Sequence, residues 1–234
     1  MDADIFGPSI PTLFNLSKQP RLNEGLFDSN RRLFNSLTDT DNELVPLSNY
    51  GVKTMSMGYL VRDSDPIVWR GLMVMKAIQQ LLHEVDWGGL DILVLDLPPG
   101  TGDVQLTITQ QVKLDGAIII STPNLLSIKD SVKGINMFKK VGVPVLGMVQ
   151  NMATFTCPEC GTSHNMFGND GVKETCKQLG TNLIGDIPLH PKIGEAADEG
   201  KPTVVAEPEG SRAKAFHDIA DKVAAEINLQ SGSG

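Results

Sequence analysis

The sequence predicts an α/β fold built on a mostly parallel sheet with flanking helices. Short apolar segments alternate with longer amphipathic ones, and three of the short segments are continuously apolar rather than alternating. Continuous apolar runs are typical of strands buried on both faces, and strands that alternate with helices favour parallel pairing through right-handed crossovers. The predicted strands are Val52–Met57, Ile92–Leu95, Ala117–Ser121, Val145–Gln150 and Leu183–Ile187.

The longest predicted helix, Pro66–Val85, has apolar residues at helical spacing. Asp65 before Pro66 is a suitable N-cap, with proline at the first helical position. The other predicted helices are Asp103–Gln111, Ser127–Lys140, Asn169–Leu179 and Arg212–Ile227. Residues 27–43 are polar and lack a clear period, which predicts an exposed loop insertion. We expect one domain over residues 1–229, with residues 230–234 as a flexible tail.

The composition excludes several classes of function. The 234 residues are 41% apolar and 21% charged, as in an ordinary globular protein. A net charge of −8 gives no general attraction to nucleic acid or anionic membranes. No apolar run approaches the roughly 18 residues that indicate a membrane span, and no targeting segment is recognisable. Three cysteines are too few for a disulfide framework and indicate a reducing compartment.

An aspartate ends the predicted strand Ile92–Leu95, and a proline–glycine loop follows it. A carboxylate at the carboxyl end of a parallel strand lies at the ligand-binding edge of the sheet. In P-loop proteins such an aspartate holds magnesium, and the loop after it senses the terminal phosphate. Gly100 and Gly102 let backbone amides approach an anion. A solvated aspartate in a plain turn is the alternative, but the complete octapeptide Asp96–Asp103 favours a nucleotide site.

No segment of the sequence matches G-x-x-x-x-G-K-[ST], the loop that binds nucleotide phosphates. The nearest approximation runs from Gly194 to Lys201, but it is one residue too long and Pro202 follows it. We therefore expect no lysine placed to reach the β- and γ-phosphates.

Cys157 and Cys160 form a C-x-x-C pair, which supplies half of a four-ligand metal site. Three arrangements are open. Two chains could share one [4Fe–4S] cluster about a two-fold axis. His164 and Cys176 could complete a closed zinc site. The pair could also be a redox dithiol. The intervening proline and glutamate, with Gly161 after them, favour a metal knuckle. Cys176 falls in a predicted helix, which favours a buried apolar role.

Together these motifs resemble the Mrp/ApbC-type family of iron–sulfur cluster carriers, deviant P-loop ATPases related to cell-division and arsenite-pump ATPases. The resemblance implies a P-loop NTPase-like fold and covers nearly the whole chain apart from the tail and residues 27–43. Residues 149–152 and 69–75 are most similar to the mitochondrial branch, which serves assembly of respiratory complex I. The matching stretches are Asp2–Pro11, Met55–Gly58, Val68–Gly71, Asp96–Asp103, Ser121–Pro123, Gln150–Met152, Cys157–Cys160 and Gly185–His190.

The resemblance implies a role for the acidic residues. Asp4, and with it Asp2, would belong to the first switch, which places magnesium and the attacking water. Asp96 would be the magnesium-side carboxylate, and Gly100 would lie in the second switch. A charged terminus is the simpler interpretation of Asp2 and Asp4.

The resemblance also implies the remaining cofactor contacts. Asn151 would contact the adenine of ATP, with Pro188 on the other side of the base pocket, although asparagine is also common as a capping residue. Cys157 and Cys160 would ligate a [4Fe–4S] cluster shared across a homodimer. Apo iron–sulfur proteins would be the clients. The mitochondrial matrix would be the compartment, with the cytoplasm as the alternative.

The family pattern places a strand, the phosphate loop, a helix and a second strand before the Asp2-Ala3-Asp4 motif. We therefore expect this chain to lack its first strand, phosphate loop and first helix. Neighbouring strands would then expose unpaired backbone groups, so we expect marginal folding or aggregation. Three hypotheses follow: a cluster carrier, nominally an ATPase, whose hydrolysis is impaired; a nucleotide-independent zinc-knuckle module; and a non-functional fragment.

Overall fold

The structure is a computed structural model that describes residues 1–22, 43–61, 71–168 and 171–227. The chain divides into two compact units. The first unit comprises Met1–Gln111 with Asp198–Lys201, and the second comprises Val112–Ala197 with the chain from Pro202 onward. Within the described ranges, no helix is both long enough and apolar enough to cross a membrane.

The strands of the first unit are short and antiparallel. They are β1 (Arg21–Leu22), β2 (Leu44–Val45), β3 (Leu47–Asn49) and β4 (Val52–Thr54), paired as β1–β2 and β3–β4. The predicted strand Val52–Met57 is thus half as long as expected. Tyr50 and Gly51 have φ values of 53° and 76°, which form the type of hairpin turn that folds β3 back on β4. The strand stops because Ser56 caps a short 3-10 turn that begins at Met57.

The prediction of a regular strand at Ile92–Leu95 is wrong. Only Asp96 forms a bridge, parallel to Asp2, with Asp96 N donating to Met1 O at 2.9 Å and Ala3 N donating to Asp96 O at 2.8 Å. The predicted burial is wrong as well, because Val94 is 71% exposed. An extended apolar segment becomes a strand only where a backbone partner runs beside it. Among the described residues, the partner of this segment is no longer than Met1–Ala3.

Among the residues that the structure describes, the first unit has three α-helices: α1 (Ile10–Leu13), α2 (Gly71–His83) and α3 (Asp103–Gln111). The bounds of α3 agree with the prediction. Helix α2 ends two residues earlier than predicted, and its buried residues recur at helical spacing on one face. The predicted start of this helix, with Asp65 as N-cap and Pro66 after it, lies outside the described residues. Most of the predicted insertion 27–43 and the tail 230–234 also lie outside them.

A three-stranded parallel sheet forms the centre of the second unit. Its strands are β5 (Ala117–Ser121), β6 (Val145–Asn151) and β9 (Leu183–Ile187), in the order β5-β6-β9. The three predicted strands are confirmed, with β6 one residue longer than expected. The prediction that the strands are buried on both faces is wrong for β5, where Ile120 is 66% exposed. Helix α4 packs on β5, whereas α8 packs on β6 and β9 and leaves part of β5 open.

In the described part of this unit, five helices accompany the sheet: α4 (Leu125–Lys140), α5 (Gly171–Leu179), α6 (Pro191–Asp198), α7 (Thr203–Ala206) and α8 (Ser211–Glu226). Helices α4, α5 and α8 confirm predicted helices within two residues at each end, while α6 and α7 were not predicted. Residue 169, the predicted start of α5, lies outside the described residues. Successive residues of β6 point to opposite faces. Met148 packs with Ile135 and Val172, and Val149 packs with Ile184 and Ile187, so two apolar cores hold the helices against the sheet.

Candidate functional site

Backbone hydrogen bonds bring the acidic residues of the first unit into one neighbourhood. Met1 nitrogen donates to Val94 O at 2.8 Å, and the bridge between Asp2 and Asp96 continues this pairing. Asp4 follows two residues later on the same segment. The structure therefore places together the three carboxylates that the motifs single out.

Asp2 is the buried member of the group, with only 1% of its surface exposed. Its carboxylate accepts hydrogen bonds from Ser56 Oγ at 2.8 Å, Ile10 N at 3.3 Å and Asp4 N at 3.1 Å. A buried carboxylate needs such donors to offset its desolvation. Asp2 thus ties the first ten residues to the segment that contains Ser56, a contact that the sequence analysis did not identify.

Asp4 is half-buried and faces outward from the same segment. Its Oδ1 accepts hydrogen bonds from Phe6 N at 3.2 Å and Gly7 N at 3.1 Å. Among the described residues, no donor contacts its second oxygen, Oδ2. This oxygen is available to a cation or a water molecule.

Burial and neighbouring charges both perturb the carboxyl group of Asp96. Desolvation raises the pKa of its carboxyl group, and the negative charges of Asp2 and Asp4 raise the pKa further, while the ammonium group of Met1 acts in the opposite direction. The side chain is exposed, so water screens part of this effect. A divalent cation would relieve the repulsion among the carboxylates.

These carboxylates do not form a complete metal site. Within the described ranges, no three His, Cys, Asp or Glu side chains are arranged to hold a metal ion. Magnesium keeps several waters and takes one or two carboxylates together with substrate phosphates. An incomplete set of protein ligands is therefore compatible with magnesium that arrives with a nucleotide.

Residues 97–102 form a loop between Asp96 and α3, here called the second-switch loop. Gly100 has a φ of 94°, a conformation that other residues adopt only with strain. Gln105, buried in α3, donates through Nε2 to Pro98 O at 2.7 Å and to Gly100 O at 3.1 Å. Sequence reasoning missed Gln105, because its identity gives no sign that it is buried.

In the second unit, the structure brings Asn151 and Pro188 to one edge of the sheet. Asn151 ends β6 and pairs with Ile187, the last residue of β9, so that Pro188 follows directly beside it. The bond from Met152 N to Ile187 O, at 2.8 Å, continues the pairing past the strand ends. The carboxyl ends of parallel strands are where ligands bind in such sheets. This juxtaposition is compatible with the two sides of a base pocket.

The cysteine pair lies on an antiparallel hairpin in the second unit. Its strands are β7 (Thr154–Thr156) and β8 (Ser163–Asn165), and residues 157–162 form the turn between them. Cys157 N donates to Thr162 O and Gly161 N donates to Cys157 O, both at 2.9 Å, which closes a compact turn. Gly161 makes the turn possible through a φ of 70°.

Both thiols are accessible on this hairpin. Cys157 is half-buried and Cys160 is exposed. Hydrogen bonding to the side chain and backbone of Thr162 holds the pKa of Cys160 below its usual range, and Cys157 adds to this effect. A lowered pKa increases the thiolate fraction, and the thiolate is the form that binds metal. The hairpin therefore presents two sulfurs close together, in an arrangement compatible with metal binding.

The closed zinc site is not supported by the structure. Cys176 lies in α5 and is 4% exposed, packed in the same apolar core as Met148 and Val172. Desolvation raises the pKa of its thiol, which disfavours the thiolate. The expectation that Cys176 is a buried apolar residue is confirmed.

The predicted site residues are divided between the units. Asp2, Asp4, Asp96 and Gly100 belong to the first unit, whereas Asn151, Pro188, Cys157 and Cys160 belong to the second.

A helix-flanked parallel sheet, with an aspartate followed by a glycine-containing loop, is compatible with the P-loop NTPase class. The fold is similar to that of the nucleotide-binding protein from Archaeoglobus fulgidus solved in complex with ADP and with cobalt. That similarity has a TM-score of 0.69 and 34% identity, and it covers 92% of this chain and 77% of the other. The P-loop NTPase-like fold predicted from the sequence is thus confirmed.

The chain belongs to the ParA-type family described as the NUBPL iron-transfer P-loop NTPases, whose model matches residues 1–224. It is 46% identical over 229 residues to the iron-sulfur cluster transfer protein NUBPL of Dictyostelium discoideum, across 98% of this chain and 67% of that protein. It is also 46% identical, over 95% of this chain and 66% of the relative, to the Arabidopsis thaliana iron-sulfur protein required for NADH dehydrogenase, mitochondrial. The chain spans about two thirds of the length of these curated relatives.

Proposed function

We propose that this protein carries a [4Fe–4S] cluster and delivers it to apo iron–sulfur proteins. The observation that carries the proposal is the hairpin turn that presents Cys157 and Cys160, both accessible and separated by only two residues. The names of the relatives, which are iron–sulfur cluster transfer and carrier proteins, support the same function. Because the cluster is cargo, its ligands have to bind it stably and also remain accessible, so that it can be transferred.

The proposal includes a homodimer. A [4Fe–4S] cluster is ordinarily held by four cysteine thiolates, and one chain offers two accessible ones. Two copies related by a two-fold axis would supply four equivalent sulfurs to one bridging cluster. Because the third cysteine, Cys176, is buried in an apolar core, it is no candidate for a further ligand.

The names of the relatives support proposals for the clients and the compartment. The plant relative is named as required for mitochondrial NADH dehydrogenase, which supports a role in assembly of respiratory complex I. We therefore propose the mitochondrial matrix as the site of action. Bacterial relatives of 41% identity are named iron–sulfur cluster carrier proteins, and they make the cytoplasm the alternative compartment.

The nucleotide part of the proposal assigns Mg²⁺ to the acidic group of the first unit and, separately, the base of ATP to the sheet edge of the second unit. Asp4, whose Oδ2 meets no donor among the described residues, and Asp96, which lies near the negative charges of Asp2 and Asp4, fit a divalent cation. Asn151 and Pro188 would flank the base, and Gly100 would take part in sensing the terminal phosphate. Asp2 is committed to internal donors, so we propose that it supports Asp4 rather than contacting the cofactor.

ATP hydrolysis is a separate question from cluster carriage. The expected absence of the phosphate-binding loop from this chain stays a prediction. Isothermal titration of the 234-residue chain with Mg-ATP tests it directly. Binding weaker than millimolar would agree with the expectation, whereas micromolar binding would contradict it.

Anaerobic reconstitution with iron and sulfide tests the cluster proposal. We expect visible absorbance from the wild-type chain, and its loss in Cys157→Ser and in Cys160→Ser, because either change leaves two chains with only two equivalent thiolates. Cys176→Ala is the matched control, since it removes the remaining cysteine of the chain and should leave the absorbance unchanged. A colourless wild-type protein that binds one zinc ion per chain would overturn the proposal.

A further inference from the structure

Gln105 is a polar side chain in a position that packing would give to an apolar one. It lies in α3 one turn before the fully buried Ile108, and only 3% of its surface is exposed. Burying an amide costs free energy unless its polar atoms find partners. A buried glutamine therefore indicates that the amide has a specific task.

Both donors of that amide are used by the second-switch loop. Gln105 Nε2 lies 2.7 Å from Pro98 O and 3.1 Å from Gly100 O. A carbonyl oxygen can accept a hydrogen bond but cannot donate one, so the nitrogen has to face these two atoms. The orientation of the amide is thus fixed by the chemistry of its neighbours.

Within the described residues, side-chain packing does little to hold the loop in place. Residues 99–102 are all exposed, so side-chain packing does not determine their conformation. Gly100, at a φ of 94°, adds backbone freedom at the centre of the loop. An exposed glycine-containing loop of this kind belongs to the low-stability part of a fold unless specific hydrogen bonds hold it. Gln105 provides two such bonds from inside the first unit.

The other atom of the amide is unused. Gln105 Oε1 is buried and has no hydrogen-bond partner in the described part of the chain. It faces the far end of the loop, since a Cβ atom on Gly102 would lie 3.6 Å from it. A buried acceptor without a donor is destabilising, and a backbone N–H of the loop is the group best placed to satisfy it.

We propose that Gln105 is the positioning residue of the second-switch loop. Its Nε2 holds the carbonyls of Pro98 and Gly100 in the nucleotide-free protein. Its Oε1 accepts a backbone N–H of the loop once the loop turns toward the terminal phosphate of a bound nucleotide. The second statement rests on the proposed nucleotide function, whereas the first concerns the protein without nucleotide.

Backbone relaxation by NMR tests the first statement. Gln105→Met keeps the length of the side chain and removes the amide. We expect the order parameters of Gly100 and Gly102 to fall from about 0.85, typical of a rigid backbone, to below about 0.6. Gln110→Met is the matched control, because Gln110 is an exposed glutamine on the same helix. Unchanged order parameters in Gln105→Met, or an equal loss in Gln110→Met, would overturn the proposal.

Gln105→Glu makes the order of the loop depend on pH, which would not happen if Gln105 only filled space. The protonated acid can donate to one of the two carbonyls, whereas the carboxylate cannot donate at all. We expect the loop of this variant to be ordered at low pH and mobile at high pH, while the wild-type loop shows no such dependence. A pH-independent loop in Gln105→Glu would contradict the proposal, and this variant decides the question where Gln105→Met does not fold.

Nucleotide discrimination tests the second statement. We expect Gln105→Met to reduce the preference for a non-hydrolysable ATP analogue over ADP by about tenfold, the effect of losing one or two buried hydrogen bonds. An unchanged preference would overturn this part. If the wild-type protein binds neither nucleotide, the nucleotide part of the proposed function and the second statement both fail, and the order parameters still decide the first.

Discussion

Replacing Asp2 with alanine is expected to destabilise the protein strongly, because the carboxylate is buried and accepts three hydrogen bonds. The change would leave Ser56 Oγ, Ile10 N and Asp4 N without their acceptor. Each buried donor left unsatisfied costs about 1–3 kcal/mol. Removing the charge also returns several kcal/mol of desolvation, so the sum of the three donors is an upper bound. We expect a net loss of about 2–4 kcal/mol, a large fraction of the roughly 5–15 kcal/mol that stabilises a typical protein.

Urea denaturation measures this loss. With a slope of about 1–3 kcal/mol per molar urea, the midpoint should fall by about 1–2 M. Ser56→Ala is the control, because it removes one of the three donors and should cost about 1 kcal/mol. In the double variant the part of the loss that comes from the Ser56–Asp2 hydrogen bond should disappear, since its partner is already gone, whereas the loss of the Ser56 cap on Gly58 N should remain.

The family resemblance gives Asp2 a different role, as part of the magnesium site. In that case Asp2→Ala would shift the midpoint by less than about 0.3 M, within the uncertainty of the extrapolation, and would abolish Mg-dependent nucleotide binding. That result would refute the structural role assigned to Asp2.

Three further predictions concern charge, packing and reactivity. Asp96→Asn should stabilise the nucleotide-free protein at neutral pH, because the folded-state pKa of Asp96 is raised and the protonated form is favoured by folding. The gain should vanish as the pH falls below the unfolded pKa of about 3.9, and thermal melts across pH would contradict this if the gain grew in acid. Gly147→Ala should cost about 1–3 kcal/mol, because its Cβ would lie 2.6 Å from Ile184 and 2.8 Å from a backbone oxygen. Gly194→Ala in α6, where the new Cβ meets no atom within 4 Å, should instead stabilise by about 0.5–1 kcal/mol, and equal melting temperatures for the two variants would refute this comparison. Thr162→Val should slow alkylation of Cys160 by iodoacetamide at neutral pH, because hydrogen bonding to Thr162 lowers the pKa of that thiol, and an unchanged rate would contradict it.

Regular elements with many partners were predictable from the sequence. The strands β5, β6 and β9 follow apolar runs and find each other in one sheet. Ile92–Leu95 is equally apolar but forms no regular strand. An apolar run shows that a segment can be buried, but it does not show that a neighbouring strand is present to pair with it. The hairpin at Tyr50-Gly51 carries only a weak local signal in the sequence, a glycine between two short segments.

The site was predictable where its residues stand in motifs and not where they act through burial. Cys157 and Cys160 are recognisable by their spacing, but their hairpin was missed, because β7 and β8 have three residues each and are mostly polar. Ser56 and Gln105 look like ordinary polar residues in the sequence. Their functions depend on which buried groups they meet, and a single sequence does not specify such long-range contacts. Asp2 is a further example. Its motif predicts a residue of the magnesium site, whereas its hydrogen bonds indicate a structural role.

Native mass spectrometry of the anaerobically reconstituted protein tests the central claim most directly. The method measures the number of chains and the bound inorganic mass in one species. The account predicts a dimer that carries a single [4Fe–4S] cluster, and predicts that Cys157→Ser abolishes the bound cluster. A monomer with one bound zinc ion, or a complete cluster on each chain, would contradict the claim that two copies share one cluster.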